Sequence, residues 1–327
     1  MSSVPPLSGR ASPEPFRILT LDGGGIKGVF AASFLAELED ALGEPLVDYF
    51  DLVAGTSTGG IIALGLGLGL PAQDILQFYE THGPAVFPRR RLRLFRVLAT
   101  PKYQAGPLQA ALKQTFGDRL LGESSTRLVI PSTNFETGEV HVFKTAHHTR
   151  FVRDYKLTAV DVAMATAAAP TYFRTHRLPI GIPLIDGGLW ANNPMGVAAV
   201  EATGLLELPK GTVKLLSLSC TESPISNRDP APAGLGLARW APRLLETLFA
   251  SQSSAALGTA QLLLGHENVW RIAPSVGPNH YKMDRTDDIA SLRGLGASEA
   301  RKSYPEVRET FLDRKRPAFV PHTEVTA

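Results

Sequence analysis

The sequence predicts an α/β fold with a mainly parallel sheet, and two observations carry this prediction. Two units of buried strand, glycine-rich turn and apolar helix follow one another near the start of the chain, and this alternation is typical of parallel sheets. The chain has 327 residues, of which 44% are hydrophobic, so it can bury a large core. No linker forces a domain cut, and a single α/β unit of this size is common.

The two units are read from short apolar runs and the glycines that follow them. Residues 16–21 form an apolar run typical of a buried strand, and the glycine run 23–28 follows. Apolar residues at helical spacing then predict a helix over 29–42, with Gly43 as its end. The second unit is a strand at 49–54, the turn GTSTGG and an apolar helix to about residue 70.

The later elements follow the same patterns. The remaining predicted strands are 127–134, 140–144, 183–185, 213–219 and 269–272. The remaining predicted helices are an alanine-rich one over 157–169 that ends at Pro170, one that starts near Pro194 with Asn193 as its cap, and a long one over 237–264. Residues 84–107 are predicted to be irregular, and the polar last 50 residues fit no clear pattern.

Composition narrows the classes of function. A formal net charge of only +2 does not favour a nucleic-acid duplex as partner. The single cysteine, Cys220, excludes an internal disulfide framework and fits a cytoplasmic location. No secretory signal is visible, and the longest apolar stretch, 61–70, is far below the roughly 20 residues that cross a bilayer. Any action on a membrane is therefore expected from its surface.

The turn that contains Ser57 matches Gly-x-Ser-x-Gly, with Gly55 and Gly59 on either side. Such a turn between a strand and a helix holds its serine in a strained conformation with the hydroxyl exposed. The following helix directs its positive end towards that hydroxyl. The pattern favours a nucleophilic serine, and a tight turn without chemistry is the alternative.

A nucleophilic serine needs a base. Each of the eight histidines lacks the glycine-flanked strand end that would position one. Asp186 has this setting, because it ends a short apolar strand and is followed by Gly187 and Gly188. The sequence therefore favours a Ser57–Asp186 dyad, with an ordinary Asp-Gly turn as the alternative.

The glycines at 23–28 offer bare backbone N–H groups, which suit either a phosphate or an oxyanion. A P-loop needs Ser or Thr directly after its lysine, but Gly28 follows Lys27. A dinucleotide site needs an acidic residue about 20 positions further on, at the end of the second strand, and the serine turn stands there instead. An oxyanion hole is therefore favoured over a nucleotide site.

Three motifs in this order, GGGIKG at 23–28, GTSTG at 55–59 and DGG at 186–188, resemble the patatin-like phospholipase family. Two flanking blocks, ATAAAPTYF at 165–173 and WANNP at 190–194, match the family as well. The resemblance covers about residues 16–220 and implies a three-layer α/β/α sandwich. The catalytic core is therefore expected at 16–220. Residues 1–15 are rich in Pro and Ser and are expected to be disordered, and residues 221–327 are expected to form a helical and irregular region packed on the same domain.

The resemblance implies a role for each motif residue. Ser57 would be the nucleophile and Asp186 the general base, and no cofactor or metal would be needed. The oxyanion hole would be formed by the N–H groups of Gly23, Gly24 and Gly25. The supporting glycines would be Gly28, Gly55, Gly59, Gly187 and Gly188. Many plant patatins have arginine where this chain has Lys27, a difference that concerns only local anion contacts.

The implied activity is hydrolysis of fatty acyl esters in membrane phospholipids, by a cytoplasmic protein that is peripheral at the inner membrane when active. An esterase or acyltransferase on a soluble ester and a catalytically silent binding module are the alternatives. The run LDGGGIKGVFAASFLAELE resembles bacterial effectors of antiphage defence. This likeness implies a cyclic di- or trinucleotide as activator, and a homo-oligomer stays open.

A basic stretch at 87–98 interleaves arginines with leucine, valine and phenylalanine. Its arginines are Arg89, Arg90, Arg91, Arg93 and Arg96. Three interpretations stay open. The stretch is a solvated, salt-bridged loop, a segment that docks on anionic lipid headgroups, or a site where arginine forks bind a phosphate-rich regulator.

Overall fold

The computed structural model describes residues 14–89, 100–222, 237–277 and 280–323, and for 237–246 it describes the backbone. The strands in these residues are β1 (Phe16–Leu21), β2 (Leu52–Gly55), β3 (Arg127–Asn134), β4 (Val140–Lys144), β5 (His176–Arg177), β6 (Pro183–Asp186), β7 (Val213–Leu218) and β8 (Val269–Ile272). The helices are α1 (Gly28–Leu42), α2 (Thr58–Gly67), α3 (Ala72–Val86), α4 (Gly106–Phe116), α5 (Ala159–Thr166), α6 (Gly188–Ala191), α7 (Met195–Val200), α8 (Leu237–Leu264) and α9 (Ile289–Phe311).

The strands of the described residues form one mixed sheet in the order β5-β6-β3-β2-β1-β7-β8, with β4 paired to β3. β3, β2, β1, β7 and β8 run parallel. β4 and β6 each pair antiparallel with β3, and β5 pairs antiparallel with β6. The mainly parallel sheet predicted from the sequence is confirmed.

Helices cover both faces of the sheet, because successive side chains of each strand point to opposite faces. On one face, Leu19 and Leu21 of β1 belong to a large apolar cluster with α1, α2, α3, α5 and α9. On the other face, Ile18 of β1 belongs to a second cluster with α7 and α8. The same alternation recurs along β2, β3 and β7. The chain is therefore a three-layer α/β/α sandwich, as the resemblance implied.

Several predicted elements match the structure closely, and others were missed. β1, β3, β4, β8 and α8 have the predicted bounds. The stretch 84–107, predicted to be irregular, contains the end of α3 and the start of α4. α9 occupies 23 of the polar last residues, for which no helix was predicted. The predicted disordered segment 1–15 lies, apart from residues 14 and 15, outside the described residues.

The register of β3 brings the ends of two other strands together. Val129 of β3 is opposite Ala54 of β2, and three residues further along β3, Ser132 is opposite Asp186 of β6. Ser57 lies three residues beyond Ala54 in the chain, at the same level along β3 as Asp186. The sheet therefore places the serine turn beside the end of β6.

Candidate active site

The serine turn joins β2 to α2 and is too tight for side chains at its two glycines. A Cβ on Gly55 would lie 2.1 Å from the carbonyl oxygen of Gly59, and one on Gly59 would lie 2.2 Å from that of Leu21. Ser57 between them has φ 56° and ψ −119°, a conformation that costs about 1–3 kcal/mol for a residue with a side chain. The surrounding structure must therefore hold Ser57 in place.

Hydrogen bonds from neighbouring elements supply that support. The Ser57 N–H donates to Thr166 Oγ1 at 3.0 Å, and the Thr166 hydroxyl donates to the Pro131 carbonyl at 2.6 Å. Thr56 Oγ1 donates to the Ala191 carbonyl at 2.6 Å. Because α5 and α6 bond to the turn and β3 holds Thr166 of α5, the serine is fixed by elements far apart in the sequence.

The Ser57 hydroxyl lies against the carboxylate of Asp186. Ser57 Oγ donates to Asp186 Oδ2 at 2.7 Å, and the Gly188 N–H donates to the other carboxylate oxygen, Oδ1, at 2.7 Å. Gly187 allows this bend of the chain, because a Cβ there would lie 2.3 Å from the Pro131 carbonyl oxygen. The carboxylate is thus fixed at one oxygen and directed at the serine with the other.

Burial changes the pKa of Asp186, which is only 6% exposed. Loss of hydration raises the pKa of its carboxyl to about 6, and the hydrogen bonds from Ser57 and Gly188 oppose this rise. A carboxyl with this pKa is ionised at neutral pH and still basic enough to accept a proton from a hydroxyl during a reaction. The pair can therefore perform nucleophilic chemistry without a histidine.

The histidines of the described residues have other partners. His147 Nε2 lies 2.9 Å from Glu201 Oε1, and His176 Nε2 lies 3.0 Å from Asp161 Oδ1. No described histidine has a hydrogen bond to the hydroxyl of Ser57. The described residues also contain no group of three or more His, Cys, Asp or Glu side chains that could hold a metal ion.

The glycine loop packs directly on Ser57. A Cβ on Gly23 would lie 3.3 Å from the Cβ of Ser57. The Ile26 N–H donates to the Met283 carbonyl at 2.8 Å, which fixes the far end of the loop. Gly25 has φ +59° and lies so close to the same carbonyl that a Cβ would be 2.2 Å from its oxygen. The run of glycines is thus required by close packing on both sides.

For Gly23 the structure differs from the sequence-based expectation. Its N–H donates to the Asn192 carbonyl at 2.9 Å, so this group is already engaged. Among the residues that the structure describes, the N–H groups of Gly24 and Gly25 have no hydrogen-bond partner. Only these two of the three expected N–H donors are free to meet an oxyanion.

Residues that sequence reasoning did not select also shape the site. Asn192 holds Gly23 through its backbone carbonyl and donates from Nδ2 to the Gly23 carbonyl at 3.3 Å. Thr166 holds the Ser57 N–H. Both lie in the two flanking blocks that carried the family resemblance, so the signal was present, but the blocks did not reveal which residue acts.

Of the remaining predicted residues, one lies at the site, one lies at the surface and four lie outside the described residues. Gly28 lies under the serine turn, since a Cβ there would lie 2.2 Å from Thr58 Oγ1. Arg89 is exposed and forms an ion pair with Asp287. Four arginines of the basic stretch lie outside the described residues, namely Arg90, Arg91, Arg93 and Arg96.

In the described parts of the chain, no helix is both long and apolar enough to span a bilayer.

The part of the chain that contains these residues matches a family of known proteins. The family model described as patatin-like phospholipase matches residues 19–199, a range that includes the glycine loop, the serine turn and the Asp-Gly-Gly motif. The chain is 32% identical over 297 residues to the cGAMP-activated phospholipase of Pseudomonas aeruginosa (strain BWHPSA011 / Pa011), covering 90% of this chain and 88% of the relative.

Two further similarities extend over most of the chain. It is 34% identical over 324 residues to the cGAMP-activated phospholipase of Vibrio cholerae serotype O1 (strain ATCC 39315 / El Tor Inaba N16961), covering 89% of this chain and 90% of the relative. The crystal structure of VipD from Legionella pneumophila aligns with 92% of this chain and 68% of its own, with 13% identity and a TM-score of 0.46. The family model and the two long sequence matches establish that the chain belongs to the patatin-like phospholipase family.

Proposed function

We propose that this protein is a serine acyl hydrolase that cleaves fatty acyl esters of membrane phospholipids, with Ser57 as nucleophile and Asp186 as general base. The observation that carries the proposal is the 2.7 Å hydrogen bond from Ser57 Oγ to Asp186 Oδ2 at a strained strand-to-helix turn. Membership of the patatin-like phospholipase family supports the choice of a lipid ester as substrate.

In the acylation step, Asp186 Oδ2 accepts the hydroxyl proton while Ser57 Oγ bonds to the acyl carbonyl carbon. The carbonyl π electrons move to its oxygen and form an oxyanion. When this intermediate collapses, the bond to the glycerol oxygen breaks, and the leaving oxygen takes the proton from Asp186. The products are an acyl-serine and a lysophospholipid.

Deacylation repeats these events with water. Asp186 accepts a proton from a water molecule, whose oxygen attacks the acyl-serine carbonyl and forms a second oxyanion. Its collapse breaks the bond to Ser57 Oγ, which regains its proton from Asp186, and the fatty acid leaves. One carboxylate thus serves as base and then as acid in each half of the reaction.

The N–H groups of Gly24 and Gly25 are the proposed oxyanion donors. Their loop packs on Ser57 through Gly23, which places backbone N–H groups next to the reacting carbon. Donors fixed before the reaction do not have to reorganise as charge develops, and the loss of one such donor costs about 2.7–4 kcal/mol of barrier. The first turn of α2 adds its partial positive charge at Ser57.

We further propose that a cyclic nucleotide activates the enzyme and that it acts from the cytoplasm, as a peripheral protein at the inner membrane. The names of the two long sequence matches, both cGAMP-activated phospholipases, support the activator. The arginines of the stretch 87–98 suit the phosphodiesters of such a ligand or the anionic headgroups of the membrane. A homo-oligomeric state is part of the same proposal.

The test combines Ser57→Ala and Asp186→Ala with a control serine variant, Ser251→Ala, on the exposed face of α8. Fatty acid release is measured from phospholipid vesicles and from a soluble ester, with and without a panel of cyclic di- and trinucleotides. We expect release from vesicles by the wild type and the control, stimulation by at least one nucleotide, and a loss of at least about 10⁴-fold in both site variants.

A serine-reactive fluorophosphonate separates the alternatives. Labelling of the wild type but not of Ser57→Ala supports an enzyme, and absence of labelling in the wild type with every nucleotide of the panel indicates a silent binding module. Hydrolysis of the soluble ester without hydrolysis of vesicles would replace the phospholipase by a soluble esterase. Equal rates with every nucleotide would contradict activation by a cyclic nucleotide and would not contradict the Ser57–Asp186 dyad. Light scattering with and without the nucleotide tests self-association.

A further inference from the structure

Arg271 reaches from β8 across β7 to the start of the glycine loop. Its Nη1 donates to Asp22 Oδ1 at 3.2 Å and its Nη2 donates to Asp22 Oδ2 at 2.7 Å. Both side chains are buried, with 9% and 6% of their surface exposed. Asp22 directly precedes Gly23, so this two-point contact fixes the residue from which the loop departs.

Arg271 is also hydrogen-bonded to three further residues. It donates to Ser217 Oγ of β7 at 2.8 Å, to Ser253 Oγ of α8 at 3.1 Å and to Glu222 Oε1 at 2.8 Å. Ser253 Oγ also accepts a hydrogen bond from Asn193 Nδ2 at 3.2 Å. The guanidinium therefore lies at the centre of a network that joins both neighbours of the glycine loop, the end of β1 and the Asn192–Asn193 turn.

The backbone of Asp22 continues the strand, while its side chain is the part that Arg271 holds. The Asp22 N–H donates to the Leu218 carbonyl at 3.0 Å, and its carbonyl accepts a hydrogen bond from Cys220 Sγ at 3.3 Å. Beyond this point the loop leaves the sheet, and the peptide N–H groups of Gly24 and Gly25 have no partner in the described residues. Their direction depends on the anchors at Asp22, Gly23 and Ile26.

A contribution to stability alone does not account for this ion pair. Replacing a buried ion pair by apolar residues of similar volume is often neutral or stabilising, because both charges lose their hydration. A planar guanidinium that binds a carboxylate at two points supplies orientation, which an apolar pair does not provide and which a lysine, as a single point charge, provides less well. The pair lies directly before the glycine loop, where the orientation of Asp22 affects the direction of the loop.

We propose that Arg271 is a positioning residue for catalysis, which fixes Asp22 and thereby sets the direction of the Gly24 and Gly25 N–H groups relative to Ser57. This inference rests on the acyl hydrolase function proposed above. Arg271 has no contact with the reacting atoms, and it acts through the backbone of the loop. Misplacing a reacting group by about 1 Å can cost on the order of 100-fold in rate.

The test compares Arg271→Met and Arg271→Lys with Arg17→Met. Arg17 is a matched control because it is also buried and also bonded to an aspartate, Asp313, but it lies near the opposite end of β1 from the glycine loop. For each full-length variant, kcat and KM are measured on a soluble nitrophenyl ester with the cyclic nucleotide that gives the highest wild-type rate. The rate of fluorophosphonate labelling at Ser57 and the unfolding temperature are measured in parallel.

We expect Arg271→Met to lower kcat and the labelling rate by about 10- to 100-fold with KM within about twofold of the wild type. Arg271→Lys should recover part of this loss. Arg17→Met should lower the unfolding temperature and leave kcat of the folded fraction within about twofold. If Arg271→Met does not fold, kcat and the labelling rate of Arg271→Lys are compared with those of the wild type instead. Values below the wild type in the folded Arg271→Lys protein then support the inference.

Wild-type kcat in the folded Arg271 variants, or a loss no larger than that of Arg17→Met, would overturn the inference while the proposed function stands. A wild-type protein that neither hydrolyses the ester nor reacts with the fluorophosphonate would instead contradict the proposed function, and the inference with it. The two failures are therefore distinguishable by the behaviour of the wild type.

Discussion

The hydroxyl of Ser57 and the carboxylate of Asp186 are joined by a 2.7 Å hydrogen bond, although 129 residues separate them in the chain. β3 creates this proximity, because it pairs with β2 through Val129 and with β6 through Ser132. The carboxylate is buried and its second oxygen is held by the Gly188 N–H. The sheet therefore places the carboxylate of Asp186 in a buried position beside Ser57. The effect of this burial on the pKa of Asp186 leads to two predictions about pH.

The first prediction concerns the pH dependence of activity. Asp186 must be ionised to accept the proton of Ser57, and burial raises the pKa of its carboxyl to about 6. We expect kcat/KM on a soluble ester to be constant above this pH and to fall about tenfold per unit below it. Circular dichroism at each pH serves as the control for folding. A plateau that continues to pH 4.5 in folded protein would contradict the assignment of Asp186 as the base.

The second prediction concerns stability, and its sign follows from the same shift. The pKa of Asp186 is raised in the folded state, so the folded state favours the protonated carboxyl. Ionisation therefore costs stability, and this cost is absent below the unfolded pKa near 3.8 and fully present above about 6. A shift of about two pKa units corresponds to roughly 3 kcal/mol.

Asp186→Asn tests this sign because asparagine keeps the shape of the side chain. Its Oδ1 can accept the Gly188 N–H while its Nδ2 donates to Ser57 Oγ, so both neighbours keep a partner. We expect an inactive protein whose free energy of unfolding at pH 7 exceeds that of the wild type by up to about 3 kcal/mol. The gain should disappear near pH 4, as measured by urea unfolding at both pH values. A variant less stable than the wild type at pH 7 would contradict the expected cost of ionising Asp186.

The catalytic motifs could be found in the sequence because each depends on local backbone geometry. The close contacts of Gly55 and Gly59 require glycine, and such requirements leave a readable pattern. The buried strands could also be found, since β1 and β3 are short segments with a core of large apolar residues, and both have the predicted bounds. What could be predicted is therefore what a few neighbouring residues determine.

Features that depend on distant partners were not visible in the sequence. The N–H of Gly23 is engaged by a carbonyl of Asn192, and no side-chain pattern records a backbone carbonyl. Arg271 meets Asp22 across 249 residues, and an arginine in a short late strand carries no local sign of burial. α9 was missed because the face it buries includes Gly296 and Ala300, whose small side chains give little hydrophobic periodicity.

The third prediction tests the packing of the glycine loop. A Cβ on Gly24 would lie 2.4 Å from the Cβ of Cys220 and 2.8 Å from its Sγ, so Gly24→Ala must displace the loop. We expect kcat to fall at least about 100-fold, because a displaced N–H donor no longer meets the oxyanion. Cys220→Gly in the same protein removes both contacts and should restore much of the rate.

The four proteins form a double-mutant cycle. Cys220→Gly alone should keep most of the wild-type kcat, and the double variant should exceed Gly24→Ala by at least about tenfold. The rate of fluorophosphonate labelling should rank the four proteins in the same order as kcat, and it needs no lipid substrate. Strictly additive effects would mean that Gly24 is required for a reason other than its contact with Cys220.

The fourth prediction compares two glycines in α9 that differ only in what surrounds them. A Cβ on Gly296 would lie 2.4 Å from the carbonyl oxygen of Phe30 in α1 and 2.9 Å from the Cβ of Ser33, whereas a Cβ on Gly294 would meet nothing within 4 Å. The hydrogen bond from Ser33 Oγ to the Arg293 carbonyl, at 2.8 Å, fixes the same close approach of the two helices. Gly296→Ala must therefore push α9 away from α1.

We expect Gly296→Ala to lower the free energy of unfolding by about 1–3 kcal/mol, the usual cost of overpacking a close contact. Gly294→Ala should raise it by about 0.5–1 kcal/mol, since alanine loses less backbone freedom than glycine on entering a helix. Urea unfolding of both variants at pH 7 measures the difference. Because the two sites share one helix and one chemical change, equal effects would show that α9 does not depend on this contact with α1.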